Sequence, residues 1–165
     1  LADPSAEIAE SKPLCLPRLW HTQQARLNKF NQGQKILSLR VFIVDSSVEL
    51  QDALRQSLDD LQLARCVGCA STLSQAQDWL QANAQAWDVL VVEPELRPSN
   101  GLALLELCRH RAPGQSLLVL THHATDAMRH YCLSQGADAV FDKSSQLVAF
   151  LSQLGQLKQA QVASR

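Results

Sequence analysis

Residues 88–101 read DVLVVEPELRPSNG. Four apolar residues, Val89 to Val92, run without polar alternation into the carboxylate of Glu93. Three of the four are β-branched, and a strand covered on both faces needs no polar side. A turn-like stretch with Pro94 and Pro98 follows, and Asn100-Gly101 opens a helical apolar pattern. The stretch predicts a buried strand, a turn and a helix, with an acid where the strand ends.

The same unit recurs on both sides of it. LSLRVFIVD (37–45) is an apolar strand ending in Asp45. Ser46-x-x-Glu49 has the form of a capping box, and Leu50, Ala53, Leu54, Leu58 and Leu61 follow at helical spacing. ARCVGCA (64–70) reads as a strand, and STLSQAQDWLQANA (71–84) as a helix capped by Ser71 or Thr72. GLALLELCRHR (101–111) is a helix, SLLVLT (116–121) a strand, and TDAMRHYCLSQG (125–136) a helix that Gly136 stops. ADAVFDK (137–143) is the last strand. SSQLVAFLSQLGQL (144–157) is the last helix, with Leu147, Phe150, Leu151 and Leu154 on one face. Five strands alternating with five helices predict an α/β fold: a parallel sheet between two helical layers. The loops that follow the strands then gather at the carboxyl edge, where open α/β sheets bind ligands.

Composition narrows the function classes. Hydrophobic residues make up 46% of the 165, enough for a core, and the net charge of −1 provides no global field for nucleic acid or anionic lipid. No apolar run approaches the ~18 residues of a membrane span, and no basic segment followed by an apolar one marks a signal peptide. A cytoplasmic location is expected, with no helix-turn-helix for DNA. Residues 1–36 carry five Lys or Arg against three Asp or Glu and lack a sustained period. They read as an extension with a short helix around Trp20–Phe30, docking through Leu19, Trp20 and Phe30 or left loose. The domain then spans 37–157 and a tail 158–165.

The five cysteines (15, 66, 69, 108 and 132) are an odd number and no disulfide framework. Cys66-Val67-Gly68-Cys69 matches C-x-x-C. Positions three apart on a regular strand face opposite ways, so packing is expected here rather than zinc or redox chemistry. Cys108 and Cys132 fall on apolar helix faces. His110, His122, His123 and His130 read as surface residues, and Trp79 and Trp87 as packing.

Four strand ends bear chemistry: Asp45, Glu93, Thr121 and Lys143. Asp and Glu oxygens suit a divalent cation such as Mg²⁺, whereas a hydroxyl and an amine suit a phosphoryl group. No glycine-rich phosphate loop follows the first strand, which argues against nucleotide binding.

VFIVDSS, WDVLVVEPELRPSNGLALL, LLVLT and GADAVFDKSS, in this order, resemble the receiver domain of two-component response regulators over about residues 37–157. The resemblance implies a flavodoxin-like sheet of order 2-1-3-4-5. It implies a sensor histidine kinase or other signalling protein as partner, and no substrate turnover. It also implies an Asp at the third strand end that accepts a phosphoryl group, with Mg²⁺ held by acids after the first strand. It further implies a hydroxyl after the fourth strand and a lysine after the fifth that contact the phosphoryl oxygens; Asp45 matches the first acid, Thr121 the hydroxyl and Lys143 the lysine.

The departures are specific. Ser46 replaces the second acid, and Glu93 stands at the phosphoacceptor position. Arg97 takes the usual proline place, His122 follows Thr121, and Val140 takes the place of the switch aromatic with Phe141 beside it. Glu reaches about 1.5 Å further than Asp, and an error of ~1 Å in placement costs in-line transfer about a hundredfold. With Ser46, a metal site at Asp45 and Glu93 is weak or absent. The expectation is a pseudo-receiver, phosphorylated unconventionally or not at all, that acts through protein–protein contacts. A conventional phosphoacceptor receiver and a metal-dependent phosphohydrolase are the rival readings. Oligomeric state is left open.

Overall fold

The computed structural model describes residues 38–164. The readings placed on the extension 1–36, including Cys15 and the helix around Trp20–Phe30, lie outside the described residues. The predicted central strand is β3 (Val89–Val92), buried at every position. β1 (Leu39–Val44) lies on one side of it and β4 (Ser116–Thr121) on the other; β2 (Ala64–Ala70) and β5 (Ala139–Asp142) form the edges. All pairings are parallel and the order is β2-β1-β3-β4-β5, as the resemblance implied. The chain leaves β1 in one direction and β3 in the other, so the crevice between them opens at their carboxyl ends.

The helices are α1 (Val48–Asp60), α2 (Leu73–Ala82), α3 (Leu102–Leu107), α4 (Asp126–Ser134) and α5 (Leu147–Ala163). Strand alternation sends successive side chains into two separate cores. Phe42, Val44, Leu90, Val92, Leu117 and Val119 meet Leu80, Leu104, Leu105 and Cys132 from α2, α3 and α4. Val41, Ile43, Val89, Val91, Leu118 and Leu120 meet Leu54 and Leu58 of α1 and Phe150 and Leu154 of α5. Each such side chain contributes about 1.5–3 kcal/mol of burial. Trp87 is buried, and Trp79 stacks on Phe42 with ring centroids 3.9 Å apart. No helix among the described residues is long and apolar enough to cross a membrane.

Four local expectations are corrected. Ser47, not Ser46, caps α1: its Oγ accepts the Leu50 N–H at 3.1 Å. Ser46 is drawn away because its N–H and hydroxyl both donate to Glu93 Oε2. Of the two candidates for α2, Thr72 is the cap. α3 ends at Leu107, short of the expected Arg111. α5 continues through residues 158–163 to Ala163, where a tail was expected; Leu157 packs on the core beneath it.

The fourth correction concerns β2. Val41 pairs with Cys66 but Phe42 pairs with Gly68, so Val67 is an extra residue in a bulge. Val67 packs on the α2 side, and Gly68 abuts Trp79 there, where a Cβ would come within 2.8 Å of the indole nitrogen. Cys66 and Cys69 therefore share the other side, against the α1 and α5 core. The expected opposite orientation fails because it assumed an unbroken alternation.

Candidate functional site

β1 and β3 run in register, with Val44 opposite Val92, so Asp45 and Glu93 leave the sheet side by side. The Glu93 N–H donates to the Val44 carbonyl at 2.8 Å and fixes that offset. On the far side, the Lys143 N–H donates to the Thr121 carbonyl at 2.9 Å. β5 stands two strands from β3, about 10 Å at normal spacing. Only a long side chain spans that gap, and it must pass the end of β4.

Lys143 does span it. Its Nζ lies 2.6 Å from Asp45 Oδ2 and 2.6 Å from Glu93 Oε1, and all three side chains are buried. Glu93 Oε2 accepts from Ser46 N–H at 3.0 Å and from Ser46 Oγ at 2.5 Å. Asp45 Oδ1 accepts the Ser47 N–H at 2.9 Å. Each carboxylate oxygen of the pair thus has a donor, as buried charge requires.

Thr121 is buried at the β4 end, but its hydroxyl accepts the His123 N–H at 3.1 Å. The four-residue site expected from the strand ends is therefore a bonded set of Asp45, Ser46, Glu93 and Lys143, with the Thr121 hydroxyl engaged by its own loop. His122 and His123 are exposed, and His123 Nε2 lies 3.7 Å from Glu95.

One contributor escaped the sequence reading. Gln51 is buried, and its amide donates to the carbonyls of Asp45 (2.7 Å) and Ala70 (3.1 Å) and to Ser71 Oγ (3.0 Å). It ties the β1 and β2 ends to α1. The signal was present: Gln51 shares the buried face of α1 with Leu54 and Leu58 at i, i+3 and i+7.

The two acids titrate in opposite directions. Burial opposes ionisation of Glu93, but the bonds from Lys143 and Ser46 outweigh it and hold its pKa below the usual value. Burial dominates at Asp45 and pushes its pKa up, with Lys143 and Ser47 offsetting only part. A carboxyl raised in the folded state favours folding below its unfolded pKa and loses that contribution as pH rises through the folded value. Asp45→Asn keeps an acceptor for Ser47 and leaves Lys143 with Glu93. Its melting temperature at about pH 7 is expected to rise by a few degrees, and the gain should vanish below about pH 4. Thermal melts of both proteins at the two pH values check this.

The five-stranded parallel sheet and its helices are shared with known proteins. The family model for the response regulator receiver domain matches residues 41–154. No curated relative matches the sequence. Among solved structures, the response regulator domain of Thermotoga maritima CheB superposes with a TM-score of 0.64 at 20% identity, covering 74% of this chain and 97% of that one. The Francisella response regulator 1452 receiver domain gives 0.65 at 14% identity, covering 75% and 99%. The signal receiver domain of a DNA-binding response regulator from Colwellia psychrerythraea 34H gives 0.65 at 19%, covering 74% and 99%. At such identities the structures speak for the fold, and the family match spans most of the chain: this protein belongs to the response regulator receiver domain family.

Proposed function

We propose that this receiver domain is a pseudo-receiver in two-component signalling, in which the Glu93–Lys143 ion pair takes the place of a phosphorylatable aspartate. The observation that carries this reading is the 2.6 Å contact of Lys143 Nζ with both Glu93 and Asp45. Glu93 Oε1 accepts from the ammonium and Oε2 accepts twice from Ser46, so attack on a phosphodonor would compete with these bonds. The amine that would receive a phosphoryl oxygen already has a permanent carboxylate.

Mg²⁺ fits this donor set poorly. The ammonium of Lys143 lies between Asp45 Oδ2 and Glu93 Oε1, the place where a cation shared by the two acids would sit. Ser46, in place of a second acid, donates its proton inward to Glu93. Among the described residues no group of three or more His, Cys, Asp or Glu side chains is arranged for a metal.

The output of such a domain is a docking face, and α4, β5 and α5 offer one. Arg129 on α4 donates to the Val140 carbonyl of β5 and, at 2.5 Å, to Gln146 Oε1 at the start of α5. Gln146 Oε1 also accepts the Asp142 N–H at 3.0 Å. These bonds lock the three elements together while Tyr131, Leu133 and Val148 remain exposed on them. Val140 is buried, and Phe141 packs edge-on against Phe150 with centroids 5.7 Å apart, so neither side chain is poised to swing between pocket and surface. A sensor kinase or another signalling protein is the proposed partner of this face.

The test is incubation with Mg²⁺ and acetyl phosphate followed by intact mass measurement. The expected result is an unmodified wild-type chain. A phosphoryl adduct that disappears in Glu93→Gln would refute the reading and favour a conventional receiver.

A further inference from the structure

β2 carries a second constellation, independent of the carboxyl-edge site. The bulge at Val67 places Cys66 and Cys69 on one side of the strand, with their sulfurs 3.4 Å apart. Both thiols are free and half-buried, on an edge strand. Arg55 and Asp59 of α1 are the charged groups that act on the pair. Cys108 and Cys132 differ: both are buried, and burial pushes the Cys108 thiol up to about 11.

We infer that Cys66 and Cys69 form a dithiol site that small-molecule disulfides oxidise to an intrastrand disulfide. The Cys66 thiolate attacks one sulfur of the oxidant, forming a mixed disulfide and expelling one thiolate. The Cys69 sulfur, losing its proton to solvent, then attacks Cys66 Sγ and expels the second thiolate. Two protein thiols become one S–S bond, and the oxidant takes two electrons and two protons to become two thiols. The protein sulfurs need to close by only about 1.4 Å to reach bonding distance.

The roles follow from the surroundings. The hydrogen bond between the two sulfurs lowers the pKa of Cys66 against the effect of burial, with Arg55 assisting and Asp59 opposing. The same bond and burial raise the pKa of Cys69. Cys66 is thus the attacking sulfur and Cys69 the resolving one. The glycine between them serves the geometry, because any side chain at Gly68 would collide with Trp79 and disturb the bulge. Among the described residues no group of three or more metal-ligating side chains includes the pair, which favours oxidation over zinc binding.

The experiment uses the full chain, wild type and Cys15→Ser, in graded mixtures of oxidised and reduced glutathione. Samples are quenched with iodoacetamide and mapped by peptide mass. The peptide containing residues 66–69 should lose two hydrogens, escape alkylation and recover with dithiothreitol in both proteins. Cys69→Ser should retain glutathione on Cys66, and Cys66→Ser should react about tenfold more slowly. The inference is overturned if both thiols stay alkylatable under oxidising mixtures, if Cys66 pairs with Cys15 instead, or if the two serine variants react at equal rates.

Discussion

Lys143→Met is expected to destabilise the domain by about 3–5 kcal/mol, because it leaves two buried carboxylates without their shared cation. Asp45 Oδ2 and Glu93 Oε1 each sit 2.6 Å from the ammonium, so they are at most about 5 Å from one another. Like charges at that separation, shielded from water, repel strongly. Methionine matches the lysine stem in length and leaves no large void, so the loss reports charge rather than volume. The variant also carries a signature in pH. Without the ammonium both carboxyls move to higher pKa in the folded state, so stability is retained at low pH and falls as pH rises through that range. Adding Glu93→Gln should recover much of the loss, since an amide oxygen still accepts from Ser46 and one negative charge is gone. Urea denaturation at about pH 7 and about pH 4.5 measures all three proteins. A Lys143→Met cost below about 1 kcal/mol would mean that the ammonium is not the counter-ion that holds this rim together.

Gly101→Ala is the second large effect, expected to cost about 3 kcal/mol. The backbone of Gly101 is ordinary helical (φ −67°, ψ −16°), so handedness is not the issue. Proximity is: a Cβ there would lie 2.1 Å from the Glu93 carbonyl oxygen and 3.3 Å from Leu96 Cδ1. The Gly101 N–H donates to the Pro94 carbonyl at 2.9 Å, which folds the 93–101 loop back onto the end of β3. A methyl group forces that loop off the strand and carries Glu93 with it. Gly155→Ala is the internal control. Its Cβ would meet only Leu63 Cδ2, at an ordinary 3.7 Å, inside a helix where alanine is preferred. That change should be neutral or stabilise by up to about 1 kcal/mol. Equal effects of the two substitutions in denaturant melts would show that the Gly101 backbone yields where the geometry says it is pinned.

The fold was legible because its signals are local. Val89–Val92 and the other strands are short apolar runs, each closed by a polar residue, and the helices carry their stripes at Leu54 and Leu58 or Phe150 and Leu154. Asp45, Glu93 and Lys143 were legible for the same reason: each ends a strand, and parallel strands end together. What was not legible depends on partners far away in the chain. Ser46 and Ser47 are both good caps, and the choice between them is made by Glu93, 47 residues away in sequence. The Thr121 hydroxyl accepts the His123 N–H of its own loop, a bond that a reading of strand ends alone does not anticipate. The bulge in β2 accompanies the packing of Trp79 over Phe42 and Gly68, a long-range contact that the ARCVGCA alternation cannot express. Gln51 needed its three acceptors to be in place before its burial made sense.

That same bulge bears on how these molecules behave in a crowd. β2 is an outer strand, and an outer strand with an unbroken row of free backbone groups invites a neighbouring chain to extend the sheet. One surplus residue at Val67 breaks the repeat and increases the local twist of this border, which disfavours the pairing of a second strand along it. The irregularity that brings two sulfurs together is thus also a feature that makes a sheet border a poorer template for a neighbouring strand.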